Sequence, residues 1–262
     1  MRIGASSTTE LVVSIRTKLK SNAVKIVGAA FALAFAAIFA AGLRAGEYRP
    51  VKAFVYTEIQ NNKPFANFPW KDRNPVISAN PGFLYKTWFS GVNTNSIGGF
   101  YAFDSLENAK KYVTGFFPEE QRKAGTAHAT RVFDATVTEE ANRDVGSVDT
   151  GSILTRKPAA FVYTEVQVNI PFAQLDWRER NKQIRKIPGL LSYTWLSGLN
   201  TNTIGGIYAF DTMENARQFT TEEFPKMGAE LQASIYSRIF DGAVVEEAAR
   251  GMKSPYFAMA TD

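Results

Sequence analysis

The chain of 262 residues contains no cysteine and a single histidine, His128. Without cysteine it can form no disulfide, no thiolate metal site and no cysteine nucleophile. One imidazole cannot build a multi-histidine metal centre, and it argues against histidine-based catalytic triads. We therefore predict that the protein uses neither a metal ion nor a cofactor.

An excess of charge of one sign is also missing from most of the chain. The formal net charge is +5, but residues 1–45 already hold six basic residues against one acidic residue. The remaining residues balance, with 24 of each sign. Proteins that bind nucleic acid usually carry their basic excess on the folded body, so we predict no nucleic-acid partner.

Long apolar runs are confined to the N-terminal region. Residues 26–43 form an uncharged run of 18, which is just long enough to cross a bilayer as a helix. We predict a polar basic segment at 1–25 and a transmembrane helix or signal anchor at 26–45. The basic residues before the run place the later domains on the non-cytoplasmic side, in a periplasm or lumen. The alternatives are a cleaved signal peptide, which would release a secreted protein, and a buried soluble helix.

The rest of the chain is a tandem duplication. Every residue of 53–141 pairs with the one 107 positions later, without a gap, and 45 of these 89 pairs are identical. The best-preserved stretch, residues 87–109, returns at 194–216. A Gly-, Ser- and Thr-rich segment separates the copies. We predict a first domain at 52–143, a linker at 144–158, a second domain at 159–250 and a C-terminal tail at 251–262.

Each copy has the pattern of a β-α-β-β-α-β unit. In the first copy we predict strands at 53–60, 83–91, 97–104 and 129–137, and helices at 65–78 and from 105 to about 117, where Pro118 ends or bends the helix. This order predicts an α+β, ferredoxin-like domain. One face of its sheet is left without helices, so we expect the two sheets to cover each other as an intramolecular α+β barrel.

Two short motifs have a structural explanation. The sequence Asn93-Thr94-Asn95 lies between two predicted strands, and asparagine tolerates the left-handed conformation of a turn. Gly98-Gly99 precedes a strand rather than a helix, so it does not form a phosphate-binding loop. We expect a close approach of two backbones there.

Three motifs carry a resemblance to a known family. PGFLYKTW, GGFYAF and RVFDATV, repeated as PGLLSYTW, GGIYAF and RIFDGAV, resemble the small YdhR-type monooxygenase-like proteins of the dimeric α+β barrel superfamily. The likeness covers residues 52–141 and 159–248. It implies a barrel formed by the two repeats with pseudo-twofold symmetry. It also implies a cofactor-independent monooxygenase, whose aromatic substrate activates oxygen in an apolar cavity.

Aromatic and charged side chains near the first helix and first two strands are the candidate ligand-binding residues. Glu58 has an alternative role, an ion pair with Arg73, if its side of the strand faces the helices. Core packing is the alternative for Trp88 and Trp195. His128 is replaced by Ile235 in the second copy, which argues against a symmetric ligand role. The candidates are Tyr56, Glu58, Trp70, Arg73, Trp88, Tyr163, Glu165, Trp177, Arg180 and Trp195.

These features support three functions of different classes. Because of the predicted anchor, we favour an accessory or structural subunit of a membrane assembly, with the membrane and other subunits as partners. The alternatives are a monooxygenase-like enzyme for a small aromatic substrate and a module that binds a small apolar ligand. Both alternatives require a cavity with convergent polar groups, and a solidly packed barrel interior would argue against both.

Overall fold

The computed structural model describes residues 50–259. The basic segment predicted at 1–25 and the transmembrane helix predicted at 26–45 lie outside the described residues, so both stay predictions. Within the described part, no helix has the length and apolar character needed to cross a membrane.

Each repeat contains the four strands and the helices of the predicted unit. The strands are β1 Ala53–Gln60, β2 Phe83–Ser90, β3 Ser96–Phe103 and β4 His128–Asp134, then β5 Ala160–Gln167, β6 Leu190–Ser197, β7 Thr203–Phe210 and β8 Ile235–Asp241. The helices are α1 Trp70–Ser78, α2 Leu106–Lys111, α3 Phe117–Ala124, α4 Ala135–Val145, α5 Trp177–Ile184, α6 Met213–Gln218, α7 Phe224–Glu230 and α8 Glu246–Arg250.

The strands form two antiparallel sheets of four, in the orders β2-β3-β1-β4 and β6-β7-β5-β8. The predicted tandem ferredoxin-like α+β architecture is therefore confirmed for the described residues. Aromatic rings from the two sheets meet between them. Tyr56 stacks on Tyr163 with 3.9 Å between ring centroids, and Phe89 stacks on Phe240 at 4.6 Å. One face of each sheet is thus buried against the other sheet.

The two sheets also touch at both lateral edges. Isolated β-bridges join Gly91 to Phe240 and Phe133 to Gly198. Next to the first bridge, the Val92 amide donates to the Ile239 carbonyl at 3.0 Å. The Leu199 amide donates to the carbonyl of Val132 at 2.9 Å beside the second. The two repeats are thus joined by main-chain hydrogen bonds in addition to the apolar contact between their sheets.

Three predicted element boundaries are wrong. Helix α1 begins at Trp70 rather than at residue 65, because Phe65–Asn67 form a separate 3-10 turn that ends before Pro69. Strand β4 ends at Asp134 rather than at residue 137, because the Asp134 carboxylate accepts a hydrogen bond from the Thr136 amide at 2.9 Å and caps helix α4. The helix before Pro118 does not end there. A π-helical turn, Tyr112–Phe116, connects α2 to α3, and Pro118 lies in the first turn of α3, where a missing N–H is tolerated.

The explanations of the two short motifs are confirmed. Asn93 has a φ of 58°, the left-handed conformation expected in the turn. Its counterpart Asn200 has a φ of 56°. At Gly98, a Cβ atom would overlap the Thr57 carbonyl oxygen of the neighbouring strand. This position therefore requires glycine because two backbones approach closely.

The helix that ends each repeat packs on the other repeat. Helix α4 follows the first sheet but lies along β6 of the second. There the Asn142 side chain accepts a hydrogen bond from the Trp195 amide at 2.6 Å and donates to the Trp195 carbonyl at 3.3 Å. Helix α8 packs on β2 of the first repeat, where the Met252 carbonyl accepts from the Lys86 amide at 3.0 Å. Strands β2 and β6 are thus each covered by a helix of the other repeat.

The segments predicted as linker and tail contribute to the packed interior. Ser147 shares a hydrogen bond of 2.8 Å with the hydroxyl of Thr194 on β6. In the tail, Tyr256 and Phe257 are buried almost completely. The Tyr256 hydroxyl lies 2.8 Å from that of Thr194, so the linker and the tail meet beside the same strand.

Asp149 makes this junction sensitive to pH. Its Oδ1 atom is buried and has no hydrogen-bond partner among the described residues, and burial raises the pKa of the carboxyl from 3.8 to about 7. The unfolded chain releases this proton near the ordinary value, whereas the folded chain retains it to higher pH. The contribution of Asp149 to stability therefore declines as pH rises from about 4 to about 7.

Replacing Asp149 by asparagine removes this decline. We expect the Asp149→Asn variant to match the wild type near pH 4 and to exceed it by about 4 kcal/mol in free energy of unfolding at pH 8. Urea denaturation at a series of pH values measures the difference. Asp144→Asn is the control. Hydrogen bonds from Asn181 and Arg185 lower the pKa of the Asp144 carboxyl, so this variant should be less stable than the wild type at pH 8. Parallel stability profiles for wild type and Asp149→Asn would contradict the assignment.

Candidate functional site

A pocket of about 270 Å³ lies in the first repeat, between the sheet and its helices. It is on the opposite face of the sheet from the second repeat. The space between the sheets is filled by aromatic rings. This packed interior argues against an enzyme or a binding module whose site lies between the sheets. The pocket offers a different site, which was not predicted. The lining is mostly apolar and aromatic, and includes Thr57, Ile59, Phe68, Ile77, Lys86, Trp88, Tyr101, Tyr112, Phe117 and Glu120.

Trp88 forms a fixed wall of this pocket. Its indole nitrogen donates to the Asn74 side-chain oxygen at 2.9 Å. The Asn74 amide in turn donates to the carbonyl of Ala248, on helix α8 of the other repeat, at 3.1 Å. The edge of the indole packs against Phe65 and Phe68 at 5.8 and 5.6 Å between centroids. The indole N–H is already used, so Trp88 offers a ligand apolar contact and no hydrogen bond.

Lys86 is the buried polar group of the pocket. Its side chain is 1% exposed, and its amine lies 2.8 Å from the centre of the Trp88 ring and 4.6 Å from that of Tyr101. No carboxylate pairs with it among residues 50–259. Burial lowers the pKa of Lys86 well below its ordinary value. At Gly99 a Cβ atom would overlap the lysine side chain, so this glycine makes room for Lys86.

Arg73 and Glu120 close one side of the pocket mouth. The guanidinium on α1 donates to the carboxylate on α3 at 2.8 Å. Hydrogen bonds from Lys123 and Arg73 lower the pKa of Glu120. The predicted pairing of Arg73 with Glu58 is therefore wrong, because the Glu58 side of strand β1 faces the second sheet and not the helices.

Glu58 belongs to a network between the sheets. It accepts from the Tyr56 hydroxyl at 2.7 Å and forms an ion pair with Arg238 of the second repeat. The two carboxylate oxygens thus have separate partners, one from each repeat. This network lies on the opposite face of strand β1 from the pocket lining.

The second repeat contributes the equivalent network. The Tyr163 hydroxyl donates to Glu165, and Glu165 pairs with Arg131 of the first repeat at 3.1 Å. Four of the predicted ligand-binding residues therefore interact with one another or with the partner repeat and line neither pocket. They are Tyr56, Glu58, Tyr163 and Glu165.

A second pocket, of about 240 Å³, occupies the equivalent place in the second repeat. Arg180 and Trp195 line it, as Arg73 and Trp88 line the first. Tyr193 replaces Lys86, and its hydroxyl donates to the Gly205 carbonyl at 2.9 Å. Met227 stands where Glu120 stands in the first pocket. The second pocket is therefore similar in shape and lacks the buried amine.

The remaining candidates lie outside both pockets. Trp70 is half-buried on α1, 5.1 Å from the Lys71 amine, and Trp177 lies 4.1 Å from the Arg178 guanidinium. His128 is exposed, with its ring edge against Phe117. Of the ten predicted residues, the structure places four at the pockets: Arg73, Trp88, Arg180 and Trp195. Lys86 is not among the predicted residues, although it lies two positions before Trp88 and on the same face of strand β2.

The two α+β repeats, each with an aromatic pocket between sheet and helices, define a protein of the ferredoxin-like fold class. Within that class, residues 62–141 match the model of the family described as “Putative mono-oxygenase ydhR”. The resemblance of the first repeat to YdhR-type proteins is thereby confirmed. The matched range contains most of the first pocket, including Arg73, Lys86 and Trp88. A comparison with curated proteins gave no match.

Several solved structures are similar to this chain. An anthrone oxidase-like protein is 15% identical, with 72% of this chain and 90% of that chain covered and a TM-score of 0.48. A putative monooxygenase from Lactobacillus acidophilus NCFM is 10% identical, with 72% and 93% covered and a TM-score of 0.42. Another, from Fusobacterium nucleatum subsp. nucleatum ATCC 25586, is 10% identical, with 74% and 93% covered and a TM-score of 0.42.

Proposed function

We propose that the protein is a cofactor-independent, monooxygenase-like enzyme that oxidises a small aromatic substrate in the first pocket. The observation that carries this proposal is the pocket itself, an aromatic-walled space with a buried amine inside the segment that matches the YdhR family model. Its volume of about 270 Å³ suits a ligand of one or two fused rings, near the lower end of ordinary ligand sites.

The pocket residues have distinct roles in this proposal. Trp88 and Tyr101 give the pocket an aromatic lining, and an aromatic substrate packs against it next to the Lys86 amine, which lies over both rings. Apolar side chains on the opposite side, such as Ile77 and Phe117, exclude water from the bound ring. The Arg73–Glu120 ion pair restricts the mouth. An electron-rich substrate held in this way supplies the electrons for oxygen, and the protein provides position and a dry environment.

We also propose that the two sheets constitute the internal α+β barrel. Main-chain bridges at both lateral edges and stacked rings between the sheets support this arrangement. In a barrel of this kind the interior is a packed core, and the two pockets lie outside it.

The family match and the pockets support the enzyme better than an accessory subunit of a membrane assembly. The accessory role depends on the helix predicted at 26–45, which lies outside the described residues. Anchoring to a membrane, with the domains on its non-cytoplasmic side, is compatible with an enzyme and remains part of the proposal. A module that only binds a ligand would use the same pocket, and substrate turnover distinguishes the two.

Oxygen uptake by the full-length protein tests the proposed function. The protein is extracted in mild detergent, treated with a chelator and supplied with a panel of hydroquinones and naphthols. We expect saturable oxygen consumption with at least one compound, and a product that contains one additional oxygen atom by mass. Tight binding of these compounds with no oxygen uptake would replace the enzyme by the ligand-binding module.

A matched pair of variants locates the activity. Ile77 lines the first pocket and its counterpart Ile184 lines the second. We expect Ile77→Phe to lower kcat/KM about tenfold or more, a loss of about 1.4 kcal/mol in transition-state stabilisation, because the larger ring occupies substrate space. Ile184→Phe should leave it unchanged. Thermal unfolding of both variants checks that they fold. The opposite pattern would assign the activity to the second pocket.

A further inference from the structure

The two pockets differ in the chemistry of one position. On β2, Lys86 directs an amine into the first pocket, and on β6 Tyr193 takes its place. The Tyr193 hydroxyl is satisfied by the Gly205 carbonyl. The Lys86 amine lies over the rings of Trp88 and Tyr101, and no ion pair is found for it within residues 50–259. A buried amine without an anionic partner is costly to keep protonated. The first pocket therefore differs from the second in holding a basic group whose uncharged form is favoured.

The other titratable groups of the first pocket do not neutralise this amine. Tyr101 and Tyr112 face it from the sheet and from the π-helical turn, and burial raises the pKa of Tyr101 to about 12. Glu120, at the mouth, is engaged by Arg73 and Lys123. The remaining charged group of the lining is the cationic Lys63. The first pocket thus contains a proton acceptor and no competing anion next to it.

We propose that Lys86 accepts the hydroxyl proton of an acidic phenol bound in the first pocket, so that the ligand is held as a phenolate paired with the lysine ammonium. The O–H bond of the phenol breaks, its electron pair stays on oxygen, and an N–H bond forms on Nζ. Charge is conserved, since a neutral amine and a neutral phenol become an ion pair. No oxidant takes part in this step.

A phenol fits the pocket better than other acids. Two neutral partners meet inside the pocket, so no isolated ion has to be stripped of water on entry. A carboxylic acid would arrive already ionised at neutral pH and would pay that cost. Trp88 and Tyr101, whose ring faces hold the amine, give the pocket the aromatic lining against which the aryl ring that bears the hydroxyl packs. The ion pair, once formed, is shielded from solvent.

A catalytic role for Lys86 rests on the proposed function. It identifies the substrates of that function as phenols. A phenolate gives up an electron more readily than the neutral phenol does. Deprotonation by Lys86 would therefore prepare the substrate for reaction with oxygen. Lys86 would be a catalytic residue in this sense, because it touches the reacting hydroxyl.

The direct test uses 4-nitrophenol, whose phenolate has its own visible absorption band. The full-length protein is titrated at a pH below the one at which the free phenol is half ionised. We expect a saturable phenolate band in the wild type and a loss of at least tenfold in Lys86→Met. Tyr193→Phe, in the second pocket, should keep the band. Thermal unfolding verifies the fold of Lys86→Met, which we expect to be at least as stable as the wild type. 4-Nitroanisole, which has no proton to give, serves as the blank.

The outcomes separate this assignment from the proposed function. Binding of 4-nitrophenol in its neutral form, or an unchanged band in folded Lys86→Met, would overturn the role of Lys86. If the phenolate band depends on Lys86 while no compound consumes oxygen, the amine has the proposed role and the enzyme assignment fails. If oxygen uptake is equal in wild type and Lys86→Met, the enzyme assignment stands and the role of Lys86 is rejected.

Discussion

Replacing Phe89 by alanine should lower the free energy of unfolding by about 3–5 kcal/mol, the usual cost of removing a buried aromatic ring. Phe89 is completely buried between the sheets. Its ring stacks on Phe240 at 4.6 Å and packs against Phe161 at 5.5 Å, and both of these residues belong to the second repeat. The cavity left by the substitution would therefore lie at the contact between repeats. Denaturation in urea measures the loss.

The same experiment tests whether the two repeats unfold together. Val244 is 52% exposed, so Val244→Ala should change the free energy of unfolding by no more than about 0.5 kcal/mol. Because the contacts of Phe89 cross between the repeats, we expect a single transition that moves to lower urea in Phe89→Ala. A cost near that of the control, or two separate transitions in the wild type, would contradict this description of the core.

Replacing Arg238 by methionine should cost about 3 kcal/mol, because it leaves the buried Glu58 carboxylate without its cation. Glu58 is 6% exposed, and Arg238 also donates to the Ser96 hydroxyl at 3.0 Å. The second repeat provides the comparison. Arg131 pairs with Glu165 in the same way, but its side chain is 53% exposed, against 28% for Arg238. We expect Arg131→Met to cost less than Arg238→Met, because solvent screens the more exposed pair although the Glu165 carboxylate is also buried.

A double-mutant cycle separates the ion pair from other losses. Glu58→Gln removes the charge while keeping the size and the ability to accept a hydrogen bond from Tyr56. If the pair is the cause, Arg238→Met should cost clearly less in the Glu58→Gln background than in the wild type. Equal costs in the two backgrounds would show that Arg238 acts through packing of its alkyl chain.

The order of the elements follows from local sequence signals. Aromatic and β-branched runs such as residues 53–60, and the Asn93–Asn95 turn, determine strands and turns without help from distant residues. Because the two copies pair without a gap, the sequence then predicts two domains with the same order of elements. The same local signals cannot say which face of β1 meets the helices, because seven of its eight residues are buried. The pairing of Glu58 with Arg73 was wrongly predicted for this reason.

The candidate site was predicted only in part. Arg73 and Trp88 lie at the first pocket, since a helix and a strand of one repeat suffice to bring them together. Lys86 was missed because a lysine in a strand is ordinarily solvated. Its burial depends on the Trp88 and Tyr101 rings, which pack against the amine in the folded repeat. The exchange of α4 and α8 between the repeats likewise depends on tertiary contacts that no local pattern encodes.

The duplicated chain also has a genetic consequence. In a homodimer one codon specifies the same residue in both pockets, so every substitution is made twice. Here positions 86 and 193 are separate codons, and they encode lysine and tyrosine. The first pocket can therefore acquire a destabilising buried amine while the second retains a satisfied hydroxyl, and the molecule bears the cost of that amine once. Fusion of two copies thus allows one chain to divide reactivity and stability between two halves of a single fold.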